Sequence, residues 1–418
     1  MSAEPEITGT AQREAWRQRV MPPVEQLEAD LWSLPVPIPA NPLRYVSVYA
    51  FGAGQGLVLI DAGWGAEESW LALRAGLESI GAGVADVRGV LVTHMHFDHV
   101  GLAGRVRQAS GAWIAMHPAD QEVFTRPDYR SAERAVTVEA EFLRDLGASR
   151  AEAAAAVGTA AEWAKFTTIA ATDRLLADGE LADLPGWKLR AMHTPGHTPG
   201  HLCFVDERSR RLFSGDHVLP RITPNISLQQ AAPPDPLGDY LDSLARTRDL
   251  DVDDVLPAHE WRFRGLPGRV DAIVAHHERR LAELLAAIRQ RPGSTPWQLA
   301  GHLTWSRPWD QYSGQMRIFA VTRPRRSSRC ACAAVSVTAK IRIWPLYWSQ
   351  GRDQVRSPAS CPGVEPGRWR IAASSSASRR SWWAAMASTR PGRPRNRHSC
   401  AGSTSSTSRS RVRASESR

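Results

Sequence analysis

Three lysines occur in 418 residues, against a total of 52 basic side chains, so the positive charge is carried almost wholly by arginine. Cysteine is nearly as scarce where it would matter. Of five, only Cys203 lies before residue 323; Cys330, Cys332, Cys361 and Cys400 follow it. A single cysteine excludes a disulfide within 1–322 and fits a reducing cytoplasm. No run of about 18 apolar residues is present, so no membrane-spanning helix is expected. Met1 to Arg19 has acidic and polar residues but no apolar stretch, and no signal peptide is expected.

Acidic residues are missing from one part of the chain. Residues 323–418 hold 20 Lys+Arg and only 3 Asp+Glu, leaving 32 basic and 40 acidic residues in 1–322. The formal charge of +9 therefore describes neither part. The acidic body argues against a nucleic-acid partner, and the basic excess belongs to a tail rich in Arg, Ser, Ala, Pro and Trp. That tail keeps no helix or strand period for more than a few residues. It reads as a disordered basic arm or as the translation of a shifted reading frame in a G+C-rich gene, and no function is assigned to it.

In the body, short β-branched runs alternate with amphipathic stretches. Strands are expected at 24–38 (an edge strand with Pro35 and Pro37), 44–51, 56–60, 87–92, 113–116, 187–192, 201–205, 211–213 and 252–256. Helices are expected at 66–80, 100–109, 118–124, 237–248, 269–289 and 295–303, with another beginning near 315. Residues 131–165 are rich in Ala, Glu, Arg and Leu and read as two helices broken near Gly147. They look like an insertion, either a lid over the sheets or an ordinary packing element.

Histidine and aspartate are concentrated at strand ends. Thr93-His94-Met95-His96-Phe97-Asp98-His99 places three imidazoles and a carboxylate in six consecutive positions. Neither a solvated loop nor an apolar core has a use for that density. Further clusters are His193-Thr194-Pro195-Gly196-His197-Thr198-Pro199-Gly200-His201, Ser214-Gly215-Asp216-His217 and Pro257-Ala258-His259-Glu260. Histidine and carboxylate without cysteine suit zinc first, and also iron or manganese.

These four motifs, in this order and over roughly residues 24–259, resemble the metallo-β-lactamase superfamily. The resemblance implies an α/β fold, a four-layer αββα sandwich of two mixed sheets with helices outside, in a catalytic domain of residues 1–264. It implies that His94, His96 and His197 hold one metal, Asp98, His99 and His259 a second, and that Asp216 bridges them. Two divalent ions about 3.5–4 Å apart can share a hydroxide at neutral pH, which would attack an electrophilic carbonyl or phosphorus. Asp98 would orient it. The β-lactam-degrading branch is marked by Cys at a bridging or second-metal position, and the diiron branch by Glu where this chain has His96. Both departures favour a hydrolase similar to glyoxalase II and RNase Z. The glutathione-binding segment of glyoxalase II is not matched after Asp216. Residues 265–322 resemble the start of a winged-helix-like C-terminal extension.

The expected activity is hydrolysis of a thioester or another small carboxylic ester; a phosphodiesterase or ribonuclease is the alternative, and a non-catalytic metal-binding scaffold a third. The partner is then a small-molecule substrate. For the remaining polar residues, each functional role stands beside a plainer one. Asp61 is either the support of a ligand imidazole or a turn former. His201 and His193 are supports rather than ligands. His217 is expected to face substrate, or to be structural. Arg221 either binds an anionic group or pairs with a nearby carboxylate. His117, His276, His277 and His302 are read as structural or solvated.

Overall fold

Strands β1 (Glu6–Ile7), β2 (Glu25–Glu28), β3 (Leu31–Pro37), β4 (Tyr45–Gly52), β5 (Leu57–Ile60), β6 (Val87–Leu91), β7 (Trp113–Met116) and β8 (Arg174–Leu175) occupy the first half of the body. Strands β9 (Leu189–His193), β10 (Leu202–Asp206), β11 (Arg211–Gly215), β12 (Asp254–Pro257) and β13 (Phe263–Arg264) occupy the second. Between them run α1 (Thr10–Gln18), α2 (Glu67–Ser79), α3 (Phe97–Val100), α4 (Ala103–Ser110), α5 (Pro118–Thr125), α6 (Ala132–Asp145), α7 (Arg150–Val157), α8 (Ala160–Trp163), α9 (Pro236–Arg248), α10 (Leu266–Gln290) and α11 (Pro296–Ala300). The structure is a computed structural model. It describes residues 5–129, 131–164, 171–182, 184–226, 235–306, 308–312 and 317, so the basic tail and the helix expected near 315 lie outside the described residues.

Among the described residues the strands form two mixed sheets. One has the order β1-β13-β12-β11-β10-β9, the other β2-β3-β4-β5-β6-β7-β8. Because side chains alternate across a strand, each strand feeds two layers. Leu57 and Leu59 turn toward α2 and α4, while Val58 and Ile60 turn toward the other sheet. Likewise Leu202 and Phe204 enter the inter-sheet core, and Cys203 faces α9 and α10. The inter-sheet core joins Tyr49, Phe51 and Leu91 to Leu189, Phe204 and Phe213. Each such side chain contributes about 1.5–3 kcal/mol by leaving water. This is the expected four-layer αββα arrangement.

Details depart from the sequence reading. The stretch 24–38 is two strands, and the short β2 covers only the first half of β3. Pro35 and Pro37 therefore lie where β3 has no neighbour on that side, a place proline tolerates. The helix expected at 100–109 is two, broken at Gly101-Leu102. The described residues of 131–165 hold three helices; Ser131 caps α6, and Ser149 and Glu152 form a reciprocal cap on α7. Its apolar face is shared with the C-terminal extension: Phe142, Leu143, Leu146 and Ala153 pack with Trp297 and Ala300 of α11. Elements β1, α1, β8 and β13 were not foreseen, being short or mostly polar. Among the described residues no helix is long and apolar enough to cross a membrane.

Strands β5, β6 and β7 run parallel, as do β11 and β12, while β9 and β11 both lie antiparallel to β10. The carboxyl ends of β6, β9, β11 and β12 are the ends that carry the four His/Asp motifs. The topology thus gathers segments separated by more than 160 residues at one rim.

Candidate metal centre

The first motif leaves β6 at Leu91 and reaches α3 at Phe97. Its imidazoles meet the later motifs directly. His94 Nε2 lies 3.0 Å from His96 Nδ1 and 3.2 Å from His197 Nε2. His259 Nε2 lies 3.4 Å from an Asp98 oxygen and 3.3 Å from Asp216 Oδ1. His99 Nε2 is 3.6 Å from Asp216 Oδ1, and His197 Nε2 is 3.4 Å from Asp216 Oδ2. The seven residues therefore converge as two trios, His94/His96/His197 and Asp98/His99/His259, with one oxygen of Asp216 toward each. In three groupings, His94/His96/His197, His94/His99/Asp216 and Asp98/His99/His259, the donor atoms lie within 4.8 Å of one another.

His99 Nε2, Asp216 Oδ1 and His259 Nε2 are buried and have no hydrogen-bond partner. Buried polar atoms are rarely left so. Three of them aimed at one point, from the donor types that bind zinc, iron or manganese, fit a metal ion.

The opposite nitrogen of most ligand rings is tied down, which fixes the tautomer that offers the other one. His197 Nδ1 donates to the Asn225 carbonyl (2.7 Å) and His259 Nδ1 to the Tyr45 carbonyl (2.9 Å). Thr93 Oγ1 lies 3.0 Å from His94 Nδ1. Asp61 accepts hydrogen bonds from His99 Nδ1 (2.7 Å), Thr93 N (2.8 Å) and Thr93 Oγ1. Its role is thus the support, not the plain turn. Asp61→Asn is expected to weaken metal binding by about 10–100-fold, because the amide cannot accept from all of these donors. Metal titration of the variant checks it, and affinity equal to the parent would contradict the role.

His201 supports rather than ligates. Its Nε2 accepts the Asp216 backbone N–H (3.1 Å), and Thr194 Oγ1 bonds its Nδ1 (2.8 Å). Gly215 is required between them: it has φ of 49° after an irregularity in β11, and a Cβ there would lie 2.8 Å from His201 Nε2. His193 stacks on His117 (centroids 3.9 Å) and its Nε2 bonds the Pro199 carbonyl, so both shape the second loop. His217 requires a correction. It is wholly buried, its Nε2 bonds Thr247 on α9 (2.9 Å), and its carbonyl accepts from Tyr240. With no exposed edge it cannot face a substrate from solvent.

Asp120 at the start of α5 was missed. Its carboxylate accepts from Met95 N (2.8 Å), Thr198 Oγ1 (2.8 Å) and Gly200 N (2.5 Å), joining the first ligand loop to the second. Burial pushes its carboxyl up to about 6, against the pull of those three donors. Glu260 was missed too. It is wholly buried, accepts from the amides of Arg221 and Ile222, and pairs with the Arg221 guanidinium at 2.5 Å. Arg221 therefore has a carboxylate partner, the plainer of its two readings.

The sequence profile of the Metallo-beta-lactamase superfamily matches residues 41–259, more than half of the chain. The chain belongs to that superfamily. The metallo-β-lactamase fold is seen again in a metallo-beta-lactamase family protein of Thermus thermophilus, 27% identical, with a TM-score of 0.62 over 75% of this chain and 95% of that one. A beta-lactamase domain protein of Burkholderia ambifaria is 25% identical, with a TM-score of 0.51 over 68% of this chain and 82% of that one. In sequence the chain is also similar to the lactamase-like protein adaB of Aspergillus niger, 29% identical over 65% of this chain and 67% of that protein. Lactamase-like protein aptB of Emericella nidulans is 26% identical over 63% and 68%. The protein is thus a superfamily hydrolase with His/Asp groups able to hold metal.

The two trios of this metallo-β-lactamase fold differ in charge. Burial, and then neighbouring imidazoles, hold His94 well below its ordinary value and His96 at about 3. Burial works against charging His99 as well, but Asp61, Asp98 and Asp216 together raise it to about 10. His259 is raised by Asp216 and Asp98 despite its burial. His94 and His96 are therefore neutral and ready for a cation, whereas His99 and His259 hold protons in its place. The His99 imidazolium stabilises metal-free protein below pH 6.5, its unfolded value, and that contribution is lost as pH rises through about 10. A metal must expel this proton. Affinity at the second trio is therefore expected to rise by up to about tenfold per pH unit for each such proton from 6.5 toward 10, and more steeply than at the first, where His94 and His96 have no proton to lose. Chelator competition at pH 6.5 and 8.5 would resolve two such classes; a single pH-independent class would contradict it.

Proposed function

We propose that this protein is a binuclear metal-dependent hydrolase of a thioester or another small carboxylic ester, with zinc as the metal. The observation that carries the reading is the convergence of two trios on the two oxygens of Asp216. His94, His96 and His197 would hold one ion, Asp98, His99 and His259 the other, and Asp216 both. When bound, such a pair lowers the pKa of a water toward neutrality and polarises the carbonyl under attack.

The protein's own groups would do the rest. Asp98, whose side chain is 14% exposed, is the carboxylate of the site placed to accept a hydrogen bond from the attacking water and aim it. Asp61, Asn225 and Tyr45 keep three imidazoles from rotating, so no reorganisation is needed during the reaction. Phe97, between His96 and Asp98, packs edge-to-face on Trp64 with centroids 5.0 Å apart, an apolar contact that would hold the loop in place.

The decisive test is a panel of thioesters, lactones, phosphodiesters and RNA, run with added zinc, manganese or iron. Thiol release from thioesters is the expected result. Cleavage of phosphodiesters or RNA alone would replace this reading with its alternative within the superfamily. Protein that takes up metal but turns over none of these would be the metal-binding scaffold, and protein that takes up no metal would sink the mechanism.

A further inference from the structure

Beside the second trio lies a cationic and aromatic group that the hydrolytic chemistry does not use. Trp16, half-buried on α1, packs edge-to-face on Tyr45 and Trp261, with centroids 6.1 and 6.2 Å apart. The Arg44 guanidinium lies over the Trp16 ring, 4.3 Å from its centroid, and Nη1 donates to the Trp16 carbonyl at 2.6 Å. The Arg221 guanidinium lies 5.6 Å from the same centroid.

Both arginines are linked to His259 through its immediate partners. Arg44 directly precedes Tyr45, whose carbonyl holds His259 Nδ1. Arg221 is bound by Glu260, the residue after His259. Arg44 and Glu260 have φ of 66° and 70°, in the left-handed region. Such a backbone conformation persists only where the surroundings impose it. The two guanidinium groups thus meet at one Trp16 ring, with a left-handed residue at Arg44 and another at the partner of Arg221.

Their charges are unequally balanced. Glu260 neutralises Arg221, whose side chain is 53% exposed. Arg44 pairs with no carboxylate among the described residues, and beyond Nη1 its guanidinium nitrogens have no protein acceptor there. A guanidinium stacked on an indole has lost its rotational freedom but kept its charge and its fork of donors. It is already organised for a planar or tetrahedral oxyanion.

We propose that Arg44, stacked on Trp16 and flanked by Arg221, binds an oxyanion group, a carboxylate or a phosphate, that the substrate carries away from its scissile bond. The assignment deepens the ester and thioester reading and rests on it for the identity of the reacting end, but binding is measurable without turnover.

The test uses full-length, zinc-loaded protein and three thioethers of equal length, which cannot be hydrolysed. One ends in an alcohol, one in a carboxylate and one in a phosphate. Calorimetry should show at least one anionic form binding about tenfold or more tighter than the alcohol, and which one identifies the group. Arg44→Gln should bring the forms to within about twofold while leaving alcohol binding unchanged. Arg44→Met, which keeps an unbranched stem against Trp16, should do the same and covers the case in which the first variant fails to fold. Parent protein without any anion preference overturns the proposal, whether or not it hydrolyses esters. A preference that survives both substitutions places the anion on the metals and also overturns it. Absence of turnover with an intact, Arg44-dependent preference would instead remove the hydrolase reading alone.

Discussion

His96→Ala is expected to lower hydrolysis by about a thousandfold or more, roughly 4 kcal/mol of barrier, while leaving the fold in place. His96 supplies the Nδ1 that meets His94 Nε2 at 3.0 Å, and His197 approaches the same point. His94 and His197 with only the shared Asp216 oxygen are a poor site for zinc, so the first ion should bind weakly or exchange freely. The fold should survive because its cores are apolar and independent of the centre: Leu34, Val46, Val90 and Ile114 on one face, Phe51, Phe204 and Phe213 between the sheets. His96 is itself only half-buried, which limits any cavity left by truncation. Metal content, turnover and far-UV circular dichroism measured together check this. Parental rates would refute the ligand assignment, and loss of the dichroism signal would show that the ion, not the apolar layers, maintains the sheets.

Asp120→Ala is expected to damage stability most among the residues outside the ligand set. Truncation leaves Met95 N, Thr198 Oγ1 and Gly200 N buried without an acceptor. Each orphaned donor costs about 1–3 kcal/mol, so a loss of about 3 kcal/mol or more follows. In a body of this size that lowers Tm by roughly 6–12 °C. Because those donors lie between His94 and His96 and beside His197, metal affinity should fall as well. Thermal unfolding with and without zinc separates the two effects. A variant within about 1 kcal/mol of the parent would mean that water replaces the carboxylate, and that Asp120 does not tie the two loops together.

The Asp120 case shows why part of the site was hidden in the sequence. His94, His96, Asp98, His99, His197, Asp216 and His259 were legible because few residue types bind divalent metals and these occur in dense, ordered motifs. Asp120 lies in an unremarkable helix start, Pro118-Ala119-Asp120, and acquires meaning only when β7 sets it between two loops. The tethers of His197 and His259 are backbone carbonyls, of Asn225 and Tyr45, which every residue possesses and no sequence pattern marks. His217 erred in the other direction. Adjacency to Asp216 suggested a substrate contact, yet the turn after β11 sends its ring to Thr247 in α9. Trp16 and Arg44 are 28 positions apart, and their stacking depends on α1, a helix too polar to stand out.

By itself the sequence determined the strand and helix layers, through alternation and helical spacing, and the donor set, through the chemistry of metal ligands. Both are encoded locally, over a few residues at a time. The tertiary structure decided which donors converge, which ring nitrogen each turns inward, which imidazoles are raised or lowered, and that Arg44 pairs with no carboxylate among the described residues. Those properties depend on distances and burial between segments far apart in the chain, and they exist only once parallel strands have brought their carboxyl ends to one rim.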